Sequence, residues 1–284
     1  MRKLLLFLIS IVIFSAFKND KPAYILYNSN GQKVSFSKMI SELKKKQIIF
    51  FGELHNNPIA HWLQLELTQE LKKSKNLILG AEMFEADNQN ELDLYLKDSI
   101  DANGLDTLVR LWTNYKTDYK PLLDYAKKNQ LPFIATNIPR RFAVAVHKKE
   151  GFKALDSLSF EEKKWVAPLP VLFDPTVPSY AAMSEMMLGH GSINMIKAQA
   201  IKDATMAYFI LKNNQENHTF IHYNGAYHSN NYEGILWYIQ KTNPEITIGT
   251  ISTVSQENIN KLEKENKGIA DFIVVVDADM TTSY

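Results

Sequence analysis

Four short apolar runs in this chain each end in side chains capable of chemistry, and that pairing limits what the chain can fold into. Ile48-Ile49-Phe50-Phe51 leads into Gly52-Glu53-Leu54-His55, and Leu77-Ile78-Leu79 leads into Glu82. Phe133-Ile134 leads into Asn137-Ile138-Pro139-Arg140, and Phe220-Ile221 into His222 and His228. Runs this short, separated by helix-length segments, read as parallel strands of an α/β sheet. Parallel strands align their carboxyl ends along one edge, where open α/β sheets take up ligands. Glu53, His55, Glu82, Asn137 and His228 are therefore expected to meet in one cleft.

The rest of the pattern fits that frame. Strands are expected at 23–27, 47–52, 76–82, 131–137, 219–224, 245–252 and 271–277. Helices are expected from a Ser37 cap toward Lys46, and at 58–73, 88–97, 119–129, 232–241 and 255–267. Alternation of this kind argues for right-handed βαβ units and a mostly parallel sheet of six or more strands flanked by helices. Between about 141 and 217 no comparable strand appears, and Gly151, Pro168, Pro170, Pro175 and Pro178 break the segment. It reads as a helical insert or lid over the carboxyl edge of one large domain, 19–284.

Composition excludes several classes of function. Lys+Arg 32 against Asp+Glu 31 leaves a formal charge of +1, so no overall field draws the chain to nucleic acid. The absence of cysteine rules out disulfides, thiolate ligands, a cysteine nucleophile and a lipid anchor on cysteine. Arg2 and Lys3 precede an apolar stretch from Leu4 to Phe17, then Lys18-Asn19-Asp20. A spanning helix needs roughly 20 apolar residues and a signal-peptide core about 7–15, so residues 1–18 read as a secretory signal, with an uncleaved anchor as the alternative. Either sends the remaining domain to the periplasm or cell envelope.

Glu53 and His55, two residues apart just past a strand, suit a metal pair, an acid/base pair or a Glu–His hydrogen bond that stiffens the turn. Asn56-Asn57-Pro58 supplies a cap and a proline for the next helix, whose free amides favour an anionic group. Glu82, at the end of a buried strand, needs a cation, a metal or a proton. His55 is one neighbour for it, and a plain ion pair with Arg140 is the other. Gly225 permits a positive φ or a close backbone approach that brings His228 over the edge. His222, inside the strand pattern, is expected to be structural. Met183, Met187 and His190 share a face if the helix persists past Gly189, and Met195, Gln199, Asp203 and Met206 lie within one stripe of the next helix; methionine packs on flat aromatic ligands, and ordinary core is the competing reading. Trp112, Tyr115, Tyr119 and Tyr125 form an aromatic patch, and a tyrosinate is a competent axial ligand of ferric haem.

Taken in order, Gly52-Glu53-Leu54-His55-Asn56-Asn57-Pro58, Ala81-Glu82-Met83-Phe84, Tyr119-Lys120-Pro121-Leu122-Leu123, Ala135-Thr136-Asn137-Ile138-Pro139-Arg140, the 198–207 segment and Gly225-Ala226-Tyr227-His228 resemble the ChaN-like haem-binding uptake proteins of the Tiki superfamily. The resemblance implies an α/β fold with a helical subdomain, an envelope protein of haem and iron uptake, and haem held through tyrosine at a homodimer interface. It also implies a periplasmic or outer-membrane haem-transport component as partner. Tyr119 and Tyr180 are the candidate ligands. Met183, Met187, His190, Asn137, Arg140, Gln199 and Asp203 are the candidate surroundings, with Arg140 or the helix-start amides on a propionate. The wider superfamily implies metal-dependent hydrolysis through a Gly-x-x-His motif and a distant Glu, and the residues here give that alternative as His55, Glu82 and His228 holding a divalent ion or activating water, with Glu53 as general base.

Overall fold

A computed structural model describes residues 21–186 and 193–284. The expected leader at 1–18, and Met187 and His190, lie outside the described residues.

Each apolar run forms a strand: β1 (Tyr24–Asn28), β2 (Ile48–Glu53), β3 (Asn76–Glu85), β4 (Phe133–Asn137), β5 (His218–Gly225), β6 (Ile248–Gln256) and β7 (Phe272–Asp277). They make one seven-stranded sheet in the order β1-β7-β6-β2-β5-β3-β4, parallel except for β1, which runs antiparallel to β7. β5, which comes late in the chain, threads between β2 and β3. That placement brings Glu53, Glu82 and the segment after Gly225 to neighbouring strand ends.

Side chains alternate between the two faces of the sheet. Ile49 and Phe51 of β2, Leu77 and Leu79 of β3 and Ile221 and Tyr223 of β5 pack with the helices α1 (Phe36–Leu43), α2 (Pro58–Lys72), α3 (Gln89–Leu96), α4 (Ala102–Leu108) and α5 (Lys120–Lys128). Ile48, Phe50, Ile78 and Phe220 point the other way. They pack on the insert, which holds α6 (Arg140–Lys148), α7 (Pro178–Met186) and α8 (Ile193–Asn213), and on α9 (Ile235–Thr242). Pro58 opens α2 at its first position and Asn57 caps it through Oδ1 to the Ala60 N–H at 3.0 Å, as the Asn-Pro signature requires.

Three local expectations need correction. Ser35, not Ser37, caps α1, its Oγ accepting from Lys38 N–H at 3.1 Å. A helix not anticipated, α4, starts at Asp101, whose carboxylate accepts from Gly104 N–H at 2.8 Å. Residues 255–267 form no α-helix, only a 3-10 turn at Lys264–Asn266: β6 runs on to Gln256, and the chain then wraps around the Gln256 amide. That amide donates to the carbonyls of Asn258 and Lys261 and accepts from Glu263 N–H and Asn266 Nδ2. Ile259 and Leu262, whose spacing imitated a helix face, pack instead on Tyr27 and Ile273.

Candidate functional site at the carboxyl edge

Glu53 and Glu82 arrive at the edge from opposite faces of the sheet. Glu53 continues the Ile49–Phe51 side of β2, and Glu82 the Ile78 side of β3. The β3–β5 ladder ends at Ala81 opposite Tyr223, and β3 is irregular between Ala81 and Glu85. Where the next rung would fall, the Glu82 carboxylate accepts the Gly225 N–H at 2.8 Å. Gly225 has φ −57, so it provides the close approach rather than a left-handed turn. A Cβ there would stand 2.7 Å from His55 Cε1 and Nε2.

Two carboxylate–imidazole arms converge on this point. In the first, His55 Nδ1 lies 2.9 Å from Glu53 Oε1, which also accepts from Tyr119 Oη at 2.7 Å. The other Glu53 oxygen accepts from Gln64 Nε2 at 2.5 Å and has His61 Nδ1 at 3.5 Å. His61 Nε2 and Asn114 Nδ2 both donate to the His55 carbonyl, at 3.0 and 2.9 Å, so the loop is pinned as well as the ring. Trp112 covers the His55 ring edge-on. Burial works against a charge on His55, but the Glu53 hydrogen bond and the nearby Glu82 charge outweigh it and raise its pKa.

In the second arm, His228 Nδ1 meets Asp203 Oδ1 at 2.5 Å and Nε2 meets Glu82 Oε1 at 3.1 Å. Asp203 Oδ2 accepts from Tyr180 Oη at 2.8 Å, and the Gln199 amide lies 3.0 Å from His228 Nδ1. Burial opposes both charges, yet the flanking carboxylates push the His228 pKa up to about 10. The two imidazoles hold the Glu82 carboxyl well below the usual carboxylate range. His228 is therefore a cation held between two anions. His222, as expected, is structural: it is fully buried, bridges Asn224 Oδ1 and the Thr136 hydroxyl, and is held neutral by burial, its pKa lowered to about 4.

The geometry gathers Glu53, His55, Glu82, Asn137, Gln199, Asp203 and His228 at one edge, with Asn137 Nδ2 donating to the Glu82 carbonyl at 3.0 Å. Several roles expected of them change. Tyr119 and Tyr180 are 3% and 2% exposed, and each phenol donates to a carboxylate. Burial and the adjacent carboxylate raise both phenol pKa values far above the ordinary range, and the same burial keeps both oxygens away from a haem at the surface. Asp203 and Gln199 hold His228 rather than facing a cofactor. Met206 is core, and Met183 packs beside Tyr180. Glu82 pairs with His228, not Arg140, whose backbone N–H instead meets Glu85 at 2.9 Å. The divalent-ion arrangement finds no support in the geometry: both His228 nitrogens face carboxylates, at 2.5 and 3.1 Å. Among the described residues no set of three or more His, Asp or Glu side chains is arranged to hold one. Glu53 has no exposed surface on its side chain and is surrounded by donors, which removes it as a general base.

Sequence reasoning missed His61, Gln64, Asn114 and Tyr227. His61 and Gln64 lie on the buried side of α2 between Ala60, Leu63 and Leu67, and buried polar groups at core spacing were the available signal. Tyr227 is 56% exposed beside the buried His228, and its phenol has no hydrogen-bond partner among the described residues.

Fold and site together define an α/β sheet protein with a carboxyl-edge cluster of paired acids and imidazoles beneath a helical insert. The chain belongs to the family described as haem-binding uptake, Tiki superfamily, ChaN, whose model matches residues 39–239. Its fold is similar to that of ChaN of Campylobacter jejuni, a protein described as binding haem cofacially, with TM-score 0.63, 22% identity and coverage of 89% of this chain and 96% of that one. A Bacillus cereus protein is similar at TM-score 0.52 and 10% identity, over 89% and 94% of the two chains. Among curated sequences, the chloroplastic protein RETICULATA-RELATED 5 of Arabidopsis thaliana is 26% identical over 188 residues. That match takes in 60% of this chain and spans 25% of the longer relative.

Proposed function

We propose that this chain is a haem-binding protein of the cell envelope that holds ferric haem on the open carboxyl edge, with the Tyr227 phenolate as axial ligand. The observation that carries the reading is the contrast among the edge tyrosines: Tyr119 and Tyr180 are locked as donors to carboxylates, whereas Tyr227 is exposed and unbonded among the described residues. Membership in a haem-binding family supports the ligand, and tyrosinate suits ferric iron. Met186 and Met195, 64% and 41% exposed, are apolar, polarizable surfaces for a porphyrin face. Arg140 follows β4 and Tyr227 follows β5, strands two places and so about 10 Å apart in the sheet, which puts the guanidinium on the same edge for a propionate.

By analogy with the cofacial haem binding described for the Campylobacter protein, two copies of this chain would pair over their haems. Exposure of the ligand on a rim, rather than in a deep pocket, supports such a pairing. The apolar stretch at 4–17 supports export, and a haem-transport component of the envelope is the expected partner. Hemin titration tests the ligand: Tyr227→Phe is expected to abolish the tyrosinate-type spectrum, while Tyr119→Phe and Tyr180→Phe retain it.

A second reading, hydrolysis without a metal, is favoured by one observation. The His55 side chain is 36% exposed, oriented through Nδ1 by Glu53, and its Nε2 lies against Gly225 in the field of Glu82. A half-open imidazole with an oriented partner can take a proton from water. A screen of ester and peptide substrates with wild type and His55→Gln decides it; no turnover by either removes the reading.

A further inference from the structure

The opposite edge of the sheet carries a second site. Two short turns lie side by side there: Lys44-Lys45-Lys46 between α1 and β2, and Lys72-Lys73-Ser74-Lys75 between α2 and β3. Because β5 threads between β2 and β3, these turns flank the start of β5, with Ile48 opposite Phe220 and Asn76 opposite His218. Together they line one open cavity of about 560 Å³, with all six lysines in its wall.

Strands two places apart stand about 10 Å from each other, within reach of lysine side chains converging from both walls. Lys45 pairs with Glu42 at 3.0 Å and Lys73 with Glu70 at 2.5 Å. Lys44, Lys46, Lys72 and Lys75 have no ion pair among the described residues. Lysines in the last turn of a helix complement its dipole, which accounts for Lys72. Lys46 and Lys75 lie beyond the helix caps, where that explanation does not reach. The chain as a whole carries only +1, so this concentration of one sign is local.

We propose that this cleft binds a ligand bearing two or more phosphoryl groups. Ammonium groups on flexible stems match clustered phosphoryl oxygens without demanding one geometry, and the concave wall keeps them close together. Ser74, also in the wall, adds a hydroxyl donor. The site is independent of haem, since it lies at the other end of every parallel strand.

The test uses the full chain with inorganic triphosphate in one arm, followed by calorimetry. In the other arm, phosphatidylcholine vesicles with and without cardiolipin are followed by co-sedimentation. Two charge-matched variants accompany wild type: Lys46→Gln/Lys75→Gln in the cleft and Lys148→Gln/Lys153→Gln on the insert. Triphosphate binding that weakens with salt, and by about tenfold or more in the cleft variant but less than about twofold in the insert variant, supports the site and a soluble ligand. The same pattern seen only with cardiolipin vesicles supports it and assigns the phosphates to lipid. Absence of binding in both arms, or equal weakening by both variants, overturns it. A cleft variant that unfolds is recognised by its circular dichroism, and Lys46→Arg/Lys75→Arg, which keeps the charge, must then retain binding.

Discussion

The two arms of the carboxyl-edge site use the same parts, a carboxylate, an imidazole and a tyrosine hydroxyl, yet they have opposite characters. The Asp203–His228–Tyr180 arm comes from the insert face, is closed to water, and ends in a cation wedged between two anions. The Glu53–His55–Tyr119 arm comes from the α2–α5 face and ends in an imidazole with a third of its side chain exposed. What separates them is the last ring: His228 spends both nitrogens on carboxylates, while His55 spends one. The closed arm holds the edge together, and the open arm presents it.

The largest break in that comparison is expected at Asp203. Asp203→Ala leaves the buried His228 without its Nδ1 partner and Tyr180 without an acceptor, and should cost about 3–5 kcal/mol in denaturant unfolding. A loss below about 1 kcal/mol would mean that the closed arm is not structural.

The same cation sets a pH limit. Its folded pKa, about 10, lies above the ordinary 6.5, so its contribution is fully present below about pH 6.5 and is lost as pH rises through 10. Wild type should therefore lose stability between pH 7 and 9.5. His228→Gln, already destabilised, should lose little more over that interval; parallel losses would show that the charge lies elsewhere.

Gly225→Ala sharpens the comparison by pressing chiefly on the open arm, since a Cβ there stands 2.7 Å from the His55 ring but only in ordinary contact, 3.5 Å, with Glu82 Oε2. The added methyl falls on the His55 ring and should cost about 1–3 kcal/mol by overpacking. It should also displace the His55 ring resonances in NMR while leaving those of His228 nearly unchanged. The two phenols grade the comparison, with the smallest effect of all expected at Tyr119. Tyr180→Phe removes one of the two groups bonded to Asp203 and should cost about 1.5–3 kcal/mol, the range for a hydrogen bond to a charged group. Tyr119→Phe leaves Glu53 with His55 and Gln64 and should cost about 1 kcal/mol. The reverse order would invert the assignment of closed and open arms.

Much of this was written in local sequence. Continuous apolar runs such as Ile48–Phe51 and Leu77–Leu79 announced strands, and the Asn57-Pro58 pair announced α2, because those signals depend on near neighbours. The convergence of Glu53, Glu82 and His228 was anticipated from strand ends alone, although it depends on β5 threading between β2 and β3, a long-range pairing. Where packing partners lie far apart in sequence, local reading failed. Tyr119 meets Glu53 across 66 residues and Tyr180 meets Asp203 across 23, so the family resemblance and a methionine-rich neighbourhood cast them as iron ligands where contact makes them donors to carboxylates. Ile259 and Leu262 imitated a helix because periodicity cannot see Gln256 organising the loop around its own amide.

The measurement closest to the central claim is the absorption spectrum of the protein titrated with hemin, taken for wild type and for Tyr227→Phe, Tyr119→Phe and Tyr180→Phe. A saturable, tyrosinate-type spectrum is expected in wild type and in both buried-phenol variants, and its loss is expected in Tyr227→Phe. An unchanged spectrum in Tyr227→Phe, or no saturable binding in wild type, would contradict that claim.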